Sequence, residues 1–215
     1  MRALTLSKSV ILIDYGASNL LSVRRAFQHI GVDVRVAVHG AELAGAGHVV
    51  LPGVGAFGKA MGALEKSGLH DAIHAHVASG RPFLGICLGM QMMMDQSEEF
   101  GIHRGMGLIA GNVVAIPAHG MDGAAHKIPR IGWAYLRRGE AARQGDYASN
   151  IENVPMYFVH SFMAVPSDPS DRLANVDYGG LSICAAIQRD NMLGFQGHPE
   201  KSGEAGLDLL RQFVG

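Results

Sequence analysis

The chain has 215 residues, 48% of them hydrophobic and 17% charged, with a formal net charge of −1. This suits one domain with a full core, excludes a disordered or fibrous chain, and lacks the electrostatic footprint of a nucleic-acid binder. No apolar run reaches the roughly 18 residues that span a bilayer, and only two cysteines occur, so neither a membrane protein nor a secreted disulfide scaffold is indicated and a reducing cytoplasm is expected.

Met1–Ser9 is too short and too polar for a signal segment and reads as a tail, residues 1–9, before a single domain over residues 10–215. Val10–Asp14 is a short apolar run, read as a buried strand. Asn19–Ile30 places Leu20, Val23, Ala26, Phe27 and Ile30 at helical spacing, and Gly31 stops it. Val32–Val38 alternates as a strand does, and His48–Leu51 is a further strand halted by Pro52. Ala56–Ser79 is helical in pattern with a break near Gly68; Pro82–Ile86 is a fourth strand, and Leu88–Gln96 a helix after it. Strand–helix alternation predicts a parallel sheet through this half.

From Gly107 the pattern changes. Asn112–Ile116, Ile131–Leu136, Met156–His160, Leu173–Val176, Ser182–Gln188 and Met192–Phe195 are short runs separated by Gly, Asp and Pro, predicting a largely antiparallel region. A closing helix, Gly203–Val214, carries Leu207, Leu210 and Phe213 on one face. The expected fold is a single-domain α/β structure, a mixed parallel and antiparallel sheet flanked by helices.

Gly85-Ile86-Cys87-Leu88-Gly89 sits where a strand gives way to a helix and has the Gly-x-nucleophile-x-Gly form of a nucleophile elbow. Its glycines admit a sharp turn, the helix start favours a thiolate at Cys87, and the Leu88 N–H would point at a developing oxyanion. A free cysteine is more often a small core residue, and Cys184, in the apolar run Ser182–Ile187, reads that way.

A nucleophilic thiol needs a base that is itself held. Of eleven histidines, His198 stands in Gly197-His198-Pro199-Glu200-Lys201-Ser202. Pro199 favours an extended backbone, so His198 and Glu200 would emerge on one face, with Glu200 accepting from one ring nitrogen and the other facing the thiol. The plainer alternative is a polar turn before the last helix. His70 and His74 lie one helical turn apart without a third metal ligand and suit a solvated face, while His119 and His126 look exposed in a Gly-rich loop. Met92, Met93 and Met94 read as core.

Gly53-Val54-Gly55-Ala56-Phe57-Gly58 formally matches the dinucleotide fingerprint. It follows the third strand rather than the first, and no acidic residue ends a following strand about 20 residues on. Backbone N–H groups completing an oxyanion hole opposite Cys87 suit it better.

Gly-Ile-Cys-Leu-Gly-Met-Gln at 85–91 and His198-Pro199-Glu200 resemble the triad-type glutamine amidotransferases, whose flavodoxin-like fold is then expected. Within them the chain is similar to the glutaminase subunits of imidazole glycerol phosphate synthases, through Asp14–Asn19, Leu51–Gly58, Cys87–Gln91, Ser97–Glu99, Gly132-Trp133, Tyr157–Ser161 and His198–Ser202. The resemblance implies that Cys87, His198 and Glu200 hydrolyse L-glutamine through a thioester, with Val54 and Leu88 amides as oxyanion hole. Gln91, Glu99, Ser161 and Phe162 match glutamine-holding positions. It implies transfer of ammonia to a (β/α)8-barrel cyclase subunit in a heterodimer, faced by Asn19, Trp133, Tyr157 and Lys201, in histidine biosynthesis; no cofactor, metal, membrane or nucleic acid is implied.

This chain departs from the pattern at Gly197, where an aromatic is usual, at Ala134, where Asn is common, and in a longer loop over Pro117–Pro129. The rival readings are a glutaminase subunit for another acceptor, such as anthranilate or aminodeoxychorismate synthase, and a catalytically silent binding protein on the same fold.

Overall fold

A computed structural model of the chain describes residues 8–16 and 19–215. Most of the expected tail lies outside the described residues, and Ser9 already opens the first strand. The first half runs β1 (Ser9–Ile13), α1 (Leu20–His29), β2 (Asp33–Ala37), β3 (His48–Gly53), α2 (Phe57–Lys66), α3 (Leu69–Ala78), β4 (Phe83–Cys87) and α4 (Leu88–Met92). Gly68, at φ +69°, divides α2 from α3, as the sequence predicts. Two-residue strands β5 (Gln96–Ser97) and β6 (His103–Arg104) follow, then β7 (Gly111–Ala115), β8 (Arg130–Tyr135), β9 (Arg137–Arg138) and α5 (Asp146–Asn150). The chain ends with β10 (Pro155–His160), β11 (Phe162–Pro166), β12 (Arg172–Tyr178), β13 (Leu181–Arg189), β14 (Met192–Phe195) and α6 (Gly203–Val214).

The main sheet has the order β2-β1-β3-β4-β14-β13-β12-β9. It is parallel from β2 to β14 and antiparallel from β14 to β9. The 2-1-3-4 start is the flavodoxin-like order, which gathers the carboxyl ends of the parallel strands along one edge. A β8–β10 ribbon and a four-stranded sheet, β11-β7-β5-β6, rise beside that edge. The second half is therefore mostly antiparallel, but β14 joins β4 and β5 joins β7 in parallel.

Alternate residues of the central strands feed opposite faces, as the period of two requires. Val10, Leu12, Val50, Leu84 and Ile86 pack with α1 and α6 through Val23, Phe27, Leu210 and Phe213. Ile11, Ile13, Val49, Leu51 and Phe83 pack with α2 and α3 through Phe57, Leu64, Leu69 and Ile73. Met92, Met93 and Met94 are fully buried in this second core, and Cys184 is fully buried in β13.

Three expectations need correcting. Pro52 does not halt β3, which runs on to Gly53. The Val49 N–H points to Pro82 on the β4 side, so by alternation Pro52 faces β1, whose pairing has ended at Val50, and its missing N–H loses no rung. The helix after Cys87 ends at Met92 rather than Gln96. The carbonyls of Met92, Met93 and Met94 are taken by the N–H groups of Met106, Leu108, Ile109 and Gly107, which turns the chain out of the helix into β5. His126 is not an exposed loop residue: it stacks on Tyr178 at 4.2 Å, and its Nδ1 lies 2.7 Å from the Pro117 carbonyl.

Candidate active site

Cys87 ends β4 at φ 56°, ψ −113°, a conformation costly for a residue with a Cβ. Its glycine neighbours let three backbones close around it. A Cβ on Gly85 would lie 2.7 Å from the Met90 nitrogen; one on Gly53 would lie 2.8 Å from the Gly89 nitrogen; one on Gly89 would enter the Leu51 carbonyl. β3, β4 and α4 thus touch main chain to main chain. With five residues α4 supplies little macrodipole, so its contribution is the free N–H groups of its first turn, Leu88 first.

His198 follows β14, the other parallel neighbour of β4. The segment after it is a 3-10 turn, Pro199–Lys201, rather than the extended backbone expected. The turn still brings Glu200 Oε1 within 2.8 Å of His198 Nδ1, both side chains almost fully buried. Burial disfavours the imidazolium, but the Cys87 sulfur and the Glu200 carboxylate outweigh it and push the His198 pKa up to about 10. An imidazolium at neutral pH is the partner a thiolate requires. Buried Cys184, by contrast, is pushed up to about 11.

A cavity of about 310 Å³ opens over the thiol, lined by Val54, Gly55, Cys87, Leu88, Gln91, Glu99, Pro129, Val159, His160, Ser161, Phe162 and His198. The structure thus brings together every residue expected as nucleophile, base, oxyanion donor or glutamine contact, with Glu200 behind His198. Both amide hydrogens of Gln91 are committed, to the Phe162 carbonyl at 3.1 Å and the Gln196 Oε1 at 2.9 Å, so it can offer a ligand only its carbonyl oxygen. One Glu99 oxygen accepts from the Phe57 N–H at 2.6 Å, opening α2. Gly58, third of the fingerprint glycines, gives its space to the His103 ring.

Sequence reasoning missed Gln196 and His160. Gln196 is fully buried; its Nε2 donates toward the Cys87 sulfur at 3.8 Å. A polar residue closing the apolar run Met192–Phe195, two before His198, was the available signal. His160 lines the cavity with its Nδ1 2.8 Å from the Phe162 carbonyl. Burial, with Arg130 and His198 nearby, holds its pKa down at about 4 against the pull of that carbonyl.

Comparison with known proteins agrees with this geometry. The family model for glutamine amidotransferase class-I matches residues 11–214. Imidazole glycerol phosphate synthase subunit HisH 1 of Legionella pneumophila (strain Lens) is 50% identical over 211 residues, covering 96% of this chain and 98% of the relative. The HisH subunit of Syntrophotalea carbinolica is 44% identical over 205 residues, covering 95% and 98%.

The chain belongs to the class-I glutamine amidotransferases.

Solved structures share the fold at low identity. One described as a glutamine amidotransferase superposes with TM-score 0.72 at 14% identity, covering 95% of this chain and 96% of that one. PurLQS from Thermotoga maritima gives TM-score 0.72 at 18% identity, covering 97% and 98%. With the family shown, the dinucleotide reading of Gly53–Gly58 falls away.

Beside the cavity, this amidotransferase presents an apolar ribbon. Ile131, Trp133 and Tyr135 of β8 are exposed, and their cross-strand partners Val159, Tyr157 and Pro155 of β10 are half-exposed on the same face. Trp133 meets Tyr157 edge to face at 5.9 Å. Asn19 stands at the N-cap of α1, its Oδ1 accepting from the Ser22 hydroxyl at 3.2 Å, and Lys201 is exposed on the turn after His198. Gly197 lacks a side chain because Met156 and Phe158 fill its place: a Cβ there would lie 2.5 Å from Met156 Cγ and Sδ. Ala134 packs half-buried against the core. The 117–129 loop docks on the β12–β13 turn, with Met121 N–H donating to Gly179 at 2.8 Å and the Tyr178 hydroxyl to Lys127 at 2.7 Å. Among the described residues no helix is long and apolar enough to cross a membrane.

Proposed function

We propose that the chain is the glutamine-hydrolysing subunit of an imidazole glycerol phosphate synthase, releasing ammonia to a (β/α)8-barrel cyclase subunit bound as a heterodimer. The observation that carries this reading is half identity to a HisH subunit over nearly all of both chains. The cavity over Cys87 supports the chemistry.

The Cys87 sulfur attacks the carboxamide carbon of glutamine. The Leu88 N–H receives the oxyanion, joined by Val54 once its peptide turns toward it. His198, held by Glu200, gives its proton to the departing nitrogen, which leaves as ammonia and leaves a thioester on Cys87. Water then adds to the thioester as His198 takes its proton, and the sulfur departs to release glutamate. The Gln91 carbonyl, the Glu99 carboxylate and the Ser161–Phe162 backbone hold the amino-acid end of the substrate.

The β8–β10 ribbon supports a docking role. Six apolar side chains facing water beside a catalytic cavity form the kind of surface a protein partner covers. In this reading Trp133 and Tyr157 anchor the barrel subunit, with Asn19 and Lys201 at its polar edge.

Glutamate release by the purified chain, alone and with the barrel cyclase and its ribonucleotide substrate, tests the proposal. Stimulation by the cyclase, lost in Cys87→Ala, is the expected result. Hydrolysis indifferent to the cyclase points to another acceptor subunit, and no hydrolysis under any condition rejects the reading.

A further inference from the structure

Ser202 stands at the N-cap of α6, a place where serine ordinarily bonds the first-turn N–H groups and stabilises the helix. It makes no such bond. Its buried hydroxyl instead donates to the His198 carbonyl at 2.6 Å and accepts the Tyr157 N–H at 3.0 Å. The His198 N–H in turn donates to the Tyr157 carbonyl at 2.9 Å. Three hydrogen bonds thus close a ring between the main chain of Tyr157, the main chain of His198 and one hydroxyl.

Tyr157 faces two ways. Its main chain grips the turn that carries His198, while its ring meets exposed Trp133 on the apolar ribbon. Ser202 itself has little room to move. A Cβ on Gly206 would lie 2.8 Å from its own Cβ, and the Gly206 N–H donates to its carbonyl.

We propose that Ser202 is a positioning residue that locks His198 to strand β10, and that through this lock a protein docked on Trp133 and Tyr157 sets the alignment of the imidazole with Cys87. The docking half rests on the function proposed above; the lock itself does not. Removing the hydroxyl leaves the Tyr157 N–H without its partner and the His198 carbonyl with only the Lys201 N–H, so the His198 turn is then tied to β10 by the single His198–Tyr157 bond.

The test is the rate of iodoacetamide alkylation at Cys87 in the isolated chain against pH, read by peptide mapping. Buried Cys184 serves as the unreactive internal control. In the wild type His198 keeps its proton between pH 7 and 9 and faces the sulfur throughout, so the rate at pH 7 should exceed that of a variant in which the imidazole is misaligned. Ser202→Ala should lose about tenfold at pH 7 and rise toward pH 9 as an unassisted thiol does, and Ser202→Thr should recover to within about threefold. Should Ser202→Ala not fold, Ser202→Gly, which weakens an N-cap little, takes its place. With the barrel subunit added, the hydroxyl-free variant should lose at least about fivefold in stimulated turnover, with the glutamine KM within about twofold. Wild-type alkylation in a folded hydroxyl-free variant would falsify the lock, as would a threonine variant no better than alanine. Stimulation equal to wild type overturns the link to docking. A wild type that the barrel subunit fails to stimulate counts against the proposed function, while the alkylation arms still decide the lock.

Discussion

Gln91 and Gln196 meet side chain to side chain at 2.9 Å, across 105 residues of chain. The contact joins α4 to the segment after β14, and Gln196 extends it to the Cys87 sulfur. Gln196→Met keeps the volume but removes an acceptor from Gln91 and a donor from the thiol. We expect kcat/KM for glutamine to fall about 10- to 100-fold, the equivalent of about 1.4–2.7 kcal/mol, in steady-state assays of glutamate release. An unchanged value would remove Gln196 from the site.

Glu200→Gln keeps an acceptor near His198 Nδ1 but removes the charge. Turnover should drop by about 100-fold or more, as removal of a base-orienting carboxylate does elsewhere. The change should also alter stability with pH. His198 is raised to about 10 from 6.5, so the folded state binds its proton more tightly than the unfolded state. That contribution is full below pH 6.5 and disappears as pH rises through 10. Thermal melts should therefore separate wild type and Glu200→Gln more at pH 6 than at pH 10.5.

His160 works in the opposite sense. Its pKa of about 4 lies below the 6.5 of an unfolded histidine, so unfolding takes up a proton between those values. The stability that neutral His160 preserves is full above pH 6.5 and falls by about 3 kcal/mol on the way down to pH 4. Denaturant melts of His160→Asn should show a shallower loss between pH 6.5 and 4 than the wild type. Parallel curves would mean that His160 does not titrate in that range.

Gly197 and Met156 share one space. Gly197→Ala should cost about 1–3 kcal/mol by overpacking and, one residue from His198, should lower kcat. Met156→Ala alone leaves a cavity costing about 2–5 kcal/mol. The double variant should be more stable than the two losses summed, with a coupling of about 0.5–3 kcal/mol, measured by a double-mutant melt series. Additive losses would show that the two positions are independent.

Short-range pattern was enough for much of the fold. Apolar runs of four or five residues mark β1, β3 and β4, alternation marks β2, and the break at Gly68 is visible because glycine enters that backbone region cheaply. The elbow is legible for the same reason: each glycine in 85–89 marks a backbone that comes too close for a Cβ. Strands β5, β6 and β11 were not legible, since two of them have only two residues and the third is defined by pairing with β7. The end of α4 was missed because the N–H groups of residues 106–109 take the carbonyls that a longer helix would use, which no helical propensity reports.

The sequence by itself determined the strand-to-helix elbow at Cys87, the nearness of Glu200 to His198, and the parallel α/β half, because these depend on residues within a few positions of one another. Tertiary structure decided which polar groups meet over the thiol: Gln91 with Gln196, His160 with the Phe162 carbonyl beside the cavity, and Glu99 with the start of α2. It also turned the Ser202 hydroxyl from its helix to His198 and Tyr157. Most of these contacts join segments tens of residues apart, and a hydrogen bond depends on angstrom-scale placement that only the packing of the whole sheet provides.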